Sequence, residues 1–370
     1  MTLEEIRAEI DHIDAQLLPL FLRRMECAEK VAEIKKGTGR AVYDPGREKR
    51  ILDAAVAKAG NYGGEARILY SAMMAMSRAA QHRMLGAGQE LRETVQNAAQ
   101  SLPTPETVAC LGQSGSFSHE ALLRLYPGAK PLFAADFPAV FEAVAQGTAD
   151  LGIVPVENSS AGSVGEVYDL ILKYRFSILG ALSLPVRHCL ASSEPSADRI
   201  RVVSSHPQAL RQCAEFLKTH GWKTEPCSST AAAAAAAEQP GFAAICSLCA
   251  AEERGLNVLA KDVQDISGNR TRFLVIGRET VIPVDADKIS VCFSLPHTTG
   301  SLSDVLTRFA AAGLNLTKIE SRPIPGRNFE YDFYLDFTGR AADPETLGLL
   351  CALHDELPRF TFLGNYREIE

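Results

Sequence analysis

Three cations lie along the N-terminal stretch of the chain, at Arg7, Arg24 and Lys35, and charged residues follow at positions 44–48. The apolar residues around them recur at helical spacing, which predicts one long amphipathic helix over residues 1–36. Arg24 and Lys35 are eleven residues apart, which leaves them only ~20° out of line on a straight helix. Two cations at the edge of a buried face need an anionic partner, because an unpaired buried charge is costly. We therefore expect a small dianion as ligand, and the structural alternative is that the long side chains snorkel from the helix edge.

The composition is that of an ordinary soluble globular protein, with 370 residues, 46% hydrophobic and 22% charged. This length predicts two or three domains, and the net charge of −7 argues against nonspecific nucleic-acid binding. We expect no signal peptide and no membrane span, because no apolar run approaches ~20 residues. The nine scattered cysteines suit a reducing cytosol. Cys246 and Cys249 form a lone CxxC pair, so no metal site is expected.

Helical patterns fill residues 1–90. Pro19 is expected to kink or break the first helix, a second helix opens at Asp44-Pro45, and a third runs from about residue 65 past residue 84. Such a thin bundle is expected to dimerise in order to bury its apolar face. Residues 91–105 read as a helical tail and a linker rich in serine and proline.

Short apolar runs alternate with helical patterns over residues 106–280, with strands near 108–112, 151–155, 178–182, 201–205 and 242–245. This alternation predicts an α/β domain with a mostly parallel sheet. Residues 287–370 read as strand, helix, strand, strand, helix, strand, which fits an α+β ferredoxin-like domain. The expected fold class is therefore multidomain: an all-α bundle, a two-lobed α/β domain and an α+β domain.

Motifs in the three segments resemble three known families in order along the chain. Residues 1–90 resemble the all-helical chorismate mutases, with matches at Arg7, Arg24, Lys35, Asp44, Arg47, Glu48, Ser77 and Gln81. Residues 106–280 resemble prephenate dehydratase in the runs 112–119, 154–159, 205–208 and 271–273. Residues 287–370 resemble an ACT regulatory domain at 300–302 and 320–323. Together they follow the layout of the bifunctional chorismate mutase–prephenate dehydratases.

The rearrangement of chorismate needs no nucleophile and no proton transfer; it needs a dianion held in a compact conformation and charge stabilisation at the breaking ether. The resemblance implies that the eight residues matched in 1–90 bind chorismate, with Arg7 supplied by the partner protomer. It implies that Lys35 and Gln81 are catalytic and donate to the ether oxygen, and that Glu48 meets the substrate hydroxyl. For Glu48 and Asp44 the structural alternative is stabilisation of the first turn of a helix.

Prephenate loses carbon dioxide and hydroxide as its ring aromatises, so the leaving hydroxide needs a hydrogen-bond donor. The resemblance implies that Thr271 is the catalytic hydroxyl and that the prephenate-binding set is Ser114, Asn158, Ser159, His206, Thr271 and Arg272, with Arg272 as a carboxylate partner. Without that resemblance, Thr271 reads only as a residue that favours strands. The run 112–118 lacks the residues of a phosphate-binding loop.

The third segment is expected to bind L-phenylalanine between paired protomers, through Gly300, Ser301, Leu302, Asn315, Leu316, Thr317, Glu320 and Ser321. Backbone amides at the start of a helix can receive the ligand carboxylate. The structural alternative is that Glu320 forms only an ion pair with Arg322.

The resemblance therefore implies a cytoplasmic, cofactor-free enzyme that makes phenylpyruvate from chorismate for phenylalanine biosynthesis and is inhibited by L-phenylalanine. It is expected to be a homodimer or a higher homo-oligomer. Two alternatives stay open: a dehydratase that prefers arogenate, and an amino-acid sensor without turnover. The presence of Lys35, Gln81 and Thr271 argues against the sensor, which would not need them.

Overall fold

The computed structural model describes residues 1–324, 326–327 and 329–370. These form two compact units, one of Met1–Ala98 with Lys288–Leu363 and the other of Ala99–Asp287 with Gly364–Glu370. The first unit thus joins the N-terminal helices to most of the C-terminal segment. The domain boundaries expected from the sequence, at 1–90, 91–105, 106–280 and 287–370, stay a prediction.

Helices make up the N-terminal part of the first unit: α1 (Leu3–Thr38), α2 (Pro45–Ala59), α3 (Gly63–Leu85) and α4 (Gln89–Asn97). Thr2 caps α1 in a capping box with Glu5, and Gly39 ends the helix in the left-handed conformation at φ 65°. The helix continues through Pro19, so the break considered at that residue does not occur.

The two halves of α1 differ in burial. Its buried residues are Ala28 and Ala32. In the N-terminal half, Ile6 is 42% exposed and Leu20 is 62% exposed, although both belong to the apolar stripe of the helix. An exposed apolar stripe of this length is typical of a surface that binds another protein chain.

The second unit contains the middle of the chain. Its strands are β1 (Thr107–Leu111), β2 (Lys130–Ala134), β3 (Leu151–Asn158), β4 (Gly162–Ser163), β5 (Ser177–Pro185), β6 (Cys189–Ser192), β7 (Val202–Ser205), β8 (Lys223–Pro226), β9 (Phe242–Cys246), β10 (Asn257–Ala260) and β11 (Arg270–Gly277). Its helices are α5 (Phe117–Leu125), α6 (Phe137–Ala145), α7 (Gly165–Tyr174), α8 (Pro207–Gln212), α9 (Ala214–His220), α10 (Thr230–Ala236) and α11 (Leu248–Glu253).

The C-terminal segment contains β12 (Lys288–Ser294), α12 (Ser301–Ala311), β13 (Leu316–Pro323), β14 (Tyr331–Thr338), α13 (Pro344–Glu356), β15 (Arg359–Tyr366) and β16 (Glu368–Ile369). Four of its strands form a sheet in the order β13-β14-β12-β15. This order, with one helix after β12 and one after β14, is the ferredoxin-like arrangement that the sequence predicts. No described helix is both long and apolar enough to cross a membrane.

Two sheets build the second unit, one in the order β16-β5-β11-β3-β1-β2, with β4 beside β3, and one in the order β10-β6-β9-β7-β8. The expectation of a mostly parallel sheet is wrong, because each of the two sheets contains as many antiparallel as parallel strand pairs among the described residues. The chain passes between the sheets from β5 to β6 and from β10 to β11 without a crossover helix, and such connections do not impose parallel pairing. These two crossings produce the expected two lobes.

Candidate active and effector sites

A cavity of about 790 Å³ lies between α1, α2 and α3. It is lined by all but one of the residues predicted to bind chorismate: Arg24, Lys35, Asp44, Arg47, Glu48, Ser77 and Gln81. Five arginine and lysine side chains line it against two carboxylates, an excess of three positive charges. The cavity is therefore electrostatically complementary to a dianion.

The turn between α1 and α2 positions the charged end of this cavity. Asp44 caps α2 and accepts a hydrogen bond from the backbone N–H of Arg47 at 2.9 Å, so its predicted structural role is present in addition to its place in the cavity wall. The Nζ of Lys35 donates to the carbonyl of Val42 at 2.8 Å. Burial lowers the pKa of Lys35, although the carboxylates of Asp44 and Glu48 act in the opposite direction.

The opposite wall of the cavity is fixed by α3. Arg24 donates from Nη1 to the Oγ of Ser77 at 2.6 Å and to the carbonyl of Met73 at 3.1 Å. Gln81 is only 7% exposed; its Nε2 donates to the carbonyl of Ser77 at 3.3 Å. Among the described residues its Oε1 has no hydrogen-bond partner. The amide nitrogen carries a second hydrogen, which is available to a ligand.

Arg7, the eighth predicted residue, does not line this cavity. It lies on the exposed N-terminal half of α1, seventeen residues before Arg24. At 1.5 Å per residue this is ~26 Å along the helix axis, far beyond the reach of an arginine side chain. Arg7 can therefore contribute only to a cavity on another copy of the chain.

Arg78 is a cavity residue that the sequence interpretation missed. It is 6% exposed, forms an ion pair with Glu48, and its guanidinium lies 5.3 Å from the centroid of the Tyr43 ring. The one available signal is an arginine on α3 directly after Ser77, within an otherwise apolar stretch. That signal alone does not distinguish a buried ion pair from a surface cation.

A second cavity, of about 370 Å³, lies in the second unit and is lined by the predicted residues Asn158, His206 and Thr271. Antiparallel pairing of β3 and β11 places Asn158 opposite Thr271, and Asn158 Nδ2 donates to Thr271 Oγ1 at 2.9 Å. The amide is itself oriented, because its Oδ1 accepts backbone hydrogen bonds from Ser160 and Ala161, each at 3.0 Å. The site therefore presents a hydroxyl in a fixed position.

The other predicted prephenate residues do not line this cavity. Ser159 is close to it, because its Oγ donates to Asn269 at 3.2 Å and accepts from the backbone N–H of Arg270 at 2.9 Å. Ser114 instead donates to Glu253 at 2.6 Å.

Arg272 lies elsewhere, with its Nε 2.6 Å from a carboxylate oxygen of Glu368 and its Nη2 2.7 Å from the Tyr366 hydroxyl. Successive residues of a strand point to opposite faces, so Arg272 and Thr271 cannot both face the cavity. Arg272 is therefore not among the residues that line the Thr271 cavity, and its role as a carboxylate partner stays a prediction.

Sequence reasoning also missed several residues of the cleft. His188 is buried, its Nε2 lies 3.1 Å from Gln212 Oε1, and burial lowers its pKa despite that contact. An adjoining cavity of about 380 Å³ shares Gln208, Gln212 and Asn269 with the Thr271 cavity, and Arg211 also lines this adjoining cavity. The available signal was the motif at 205–208, since a helix that begins there projects residues three and four positions later along the same face.

The predicted effector residues lie on two elements. Gly300, at φ 88°, precedes α12, which begins with Ser301 and Leu302. Asn315 precedes β13, which contains Leu316, Thr317, Glu320 and Ser321. Because α12 and β13 run in opposite directions in a ferredoxin-like fold, the start of α12 lies at the same end of the sheet as Glu320, whereas Asn315 lies at the opposite end. Glu320 pairs with Lys318 at 3.3 Å, and its expected part in effector binding stays a prediction.

Comparisons with known proteins identify three family models that match consecutive parts of the chain. Family models for chorismate mutase type II, prephenate dehydratase and the ACT domain match residues 6–82, 108–281 and 290–355. The arogenate dehydratase 2 of Petunia hybrida is 39% identical over 279 residues, covering 70% of this chain and 71% of its own. The structure of a prephenate dehydratase from Arthrobacter aurescens in complex with L-Phe has a TM-score of 0.64 and 34% identity, covering 70% of this chain and 90% of its own. The bifunctional chorismate mutase/prephenate dehydratase of Stutzerimonas stutzeri is 33% identical over 376 residues, covering 98% of this chain and 97% of its own. The chain therefore belongs to the bifunctional chorismate mutase/prephenate dehydratase family.

Proposed function

We propose that this chain is a cytosolic, homodimeric enzyme that converts chorismate to prephenate in the helical cavity and prephenate to phenylpyruvate in the α/β cleft. The observation that carries the first activity is the helical cavity itself, where the predicted residues converge with an excess of three positive charges. Thr271, fixed by Asn158 at 2.9 Å, supports the second.

In the mutase reaction, the protein must hold both carboxylates of chorismate and stabilise negative charge on the ether oxygen as the C–O bond breaks. Arg24 enters the reaction already oriented by Ser77, and we assign it with Arg47 to the carboxylates. Lys35 and the second hydrogen of the Gln81 amide are the donors to the ether oxygen. Donors held in place before the reaction need no reorganisation in the transition state, which is why they accelerate it.

In the dehydratase reaction, the electron pair of the bond to the departing carboxylate moves into the ring, and hydroxide leaves from the opposite ring carbon. Thr271 donates a hydrogen bond to the departing hydroxide and keeps its own hydrogen, and Asn158 keeps the Thr271 oxygen in position. We assign the remaining carboxylate of prephenate to Arg211 in the adjoining cavity, since Arg272 is paired with Glu368.

We propose prephenate, and not arogenate, as the preferred substrate of the cleft. Arogenate carries an ammonium group where prephenate carries a keto group. The relative that covers 98% of this chain is named a chorismate mutase/prephenate dehydratase, whereas the arogenate dehydratase 2 covers 70% of it. The arogenate dehydratases among the relatives are the observation that favours the second candidate. The adjoining cavity contains Asp265, so arogenate use should be sensitive to Asp265→Asn, whereas prephenate use should not.

The test of both activities is a coupled assay on the purified chain. Chorismate is supplied, and its disappearance and the appearance of prephenate and phenylpyruvate are followed separately. Prephenate and arogenate are then supplied at equal concentration to compare kcat/KM. If neither chorismate nor prephenate were consumed, the proposal would be overturned, and a sensor without turnover would be favoured.

We further propose that L-phenylalanine binds the C-terminal segment and inhibits the dehydratase. The start of α12 and the end of β13 lie at one end of the sheet, and Asn315 at the other, so a second protomer is needed to gather all the predicted residues. Glu320→Ala should weaken phenylalanine binding in calorimetry and leave uninhibited turnover intact. Absence of measurable binding to the parent protein would contradict this part of the proposal.

A further inference from the structure

A buried group of charged and titratable side chains lies beside the helical cavity, within the first unit. Its members come from the N-terminal helices and from both helices of the C-terminal segment; we call them the Glu356 cluster: Glu48, Arg78, His82, Arg308 and Glu356. The side chains of Arg78, Arg308 and Glu356 are each less than a tenth exposed. Glu48 also lines the helical cavity, so the cluster reaches the proposed mutase site.

Arg78 connects two carboxylates that come from distant parts of the chain. Its Nη1 contacts Glu48, and its Nε donates to Glu356 Oε2 at 3.1 Å, across a separation of 278 residues. The planar guanidinium is thereby fixed at two of its nitrogens. Because a displaced Arg78 would release Glu48, the position of Glu48 depends on Glu356.

Glu356 is held by several partners and has little freedom to move. The Nη2 of Arg308 lies 2.5 Å from its Oε2, and the Nε2 of His82 lies 2.9 Å from its Oε1. Glu356 is also the last residue of α13, where a carboxylate faces the negative end of the helix macrodipole. A buried acid at this unfavourable position is compensated by the cations around it, and Arg78 is one of them.

We propose that Arg78 is a positioning residue for the mutase reaction and that Glu356, supplied by the C-terminal domain, holds it in place. The mutase site is then completed by a residue encoded after the dehydratase domain. This inference rests on the proposed function, and it adds to that function the role that the family resemblance implies for Glu48, contact with the chorismate hydroxyl.

The proposal has a specific kinetic signature. The chorismate hydroxyl carries no developing charge during the rearrangement, so its contact with Glu48 is equally strong in the ground state and the transition state. Loss of such a contact raises KM and leaves kcat nearly unchanged. Because hydrogen bonds to charged groups are among the stronger ones, we expect Glu356→Gln to raise the KM for chorismate about tenfold.

The experiment uses the full chain with Glu356→Gln, Glu48→Gln and the double variant. Glu345→Gln is the matched control, because Glu345 is an exposed glutamate in the first turn of the same helix. Removing the charge of Glu356 leaves two buried arginines without their shared partner, which can prevent folding. Glu356→Asp is therefore included: it keeps the charge but is too short to contact both arginines as closely. Prephenate turnover and thermal unfolding are measured on every variant.

A raised KM in Glu356→Gln or Glu356→Asp, with kcat and prephenate turnover retained, supports the proposal. The proposal also requires that the KM of the double variant be no higher than that of Glu48→Gln alone, because both substitutions would remove the same contact. Values equal to those of Glu345→Gln would overturn it, and so would a parallel loss of both activities, which indicates a purely structural role. Absence of mutase activity in the parent chain would instead refute the proposed function itself.

Discussion

Replacing Thr271 with alanine removes the hydroxyl that we propose donates to the departing oxygen of prephenate. In the structure Thr271 Oγ1 accepts a hydrogen bond from Asn158 Nδ2 at 2.9 Å. This contact uses one lone pair of the hydroxyl and leaves its hydrogen for another acceptor. Since Thr271 lines the cavity, a bound substrate can be that acceptor.

Thr271→Ala should have two separate effects, one on the rate of the dehydratase reaction and one on the stability of the fold. A positioned acid or donor contributes ~10²–10⁴-fold to the rate, and we expect Thr271→Ala to lower the dehydratase kcat by that factor. The structural cost is one hydrogen bond, about 0.5–1.5 kcal/mol of unfolding free energy. Asn158 keeps its bond to the Arg270 carbonyl at 3.3 Å and the backbone bonds to its Oδ1. The cleft should therefore keep its shape.

The assay follows phenylpyruvate formed from prephenate, and mutase turnover of the same preparation reports on folding. Thr271→Ser keeps the hydroxyl and should recover most of the rate. Thr280→Ala is the matched control, since it makes the same substitution at a threonine whose hydroxyl lies 2.8 Å from the Ser177 hydroxyl, outside the Thr271 cavity. It should leave turnover within a few-fold. Equal damage from the serine and alanine variants at position 271 would refute the assignment and indicate a packing role.

Three further predictions concern the first unit. Lys35→Met should lower mutase kcat by ~10²–10³-fold. Because burial lowers the pKa of Lys35 below its usual 10.5, the kcat/KM of the parent enzyme should begin to decline at a pH below 10.5, as Lys35 loses its proton. Arg7→Ala and Arg24→Ala should each abolish mutase activity. When equal amounts of the two variants are mixed and allowed to exchange subunits, roughly a quarter of all sites should regain both arginines and become active. If no activity returned, Arg7 would belong to the site of its own chain. Burial acts to raise the pKa of Glu356, but the His82 contact and two arginines outweigh it and lower that pKa to about 2. The carboxylate therefore stabilises the fold above pH 4.5, and that stability is lost as the pH falls toward 2; melting temperatures should decline more steeply across this range in the parent than in Glu356→Gln.

The C-terminal segment is the part of the fold that the sequence predicts best. The expected order of strand, helix, strand, strand, helix, strand is the order of β12, α12, β13, β14, α13 and β15. Each of its strands and helices contains apolar residues and is separated from the next by a short turn, so local sequence pattern suffices. Strand direction in the second unit could not be predicted in this way. An apolar run has the same composition whether its neighbour is parallel or antiparallel, and β8 (Lys223–Pro226), being mostly exposed, has no apolar run at all.

The two proposed catalytic sites differ in how much of their position can be predicted from the sequence. Spacing along a helix sets the direction of each side chain, so the separation of Arg24 and Lys35 predicts that they point the same way, and both line the helical cavity. Ser77 and Gln81, which the family resemblance suggested, line it too. The dehydratase cleft is built from strands and loops of both lobes, where neighbours in sequence face opposite ways. Thr271 and Arg272 are adjacent in the most informative motif, yet only Thr271 lines the cavity.

The Glu356 cluster shows why a local pattern cannot reveal every positioning residue. Arg78 and Glu356 are 278 residues apart, and neither belongs to a motif that resembles a known site. The sequence does contain an inconsistency: a glutamate ends α13, where a lysine or arginine would stabilise the helix better. A residue that violates a local rule is retained where a distant contact compensates for it, and here the compensation is the pair of arginines Arg78 and Arg308. The violated rule thus identifies the residue, and only the tertiary structure identifies its partners.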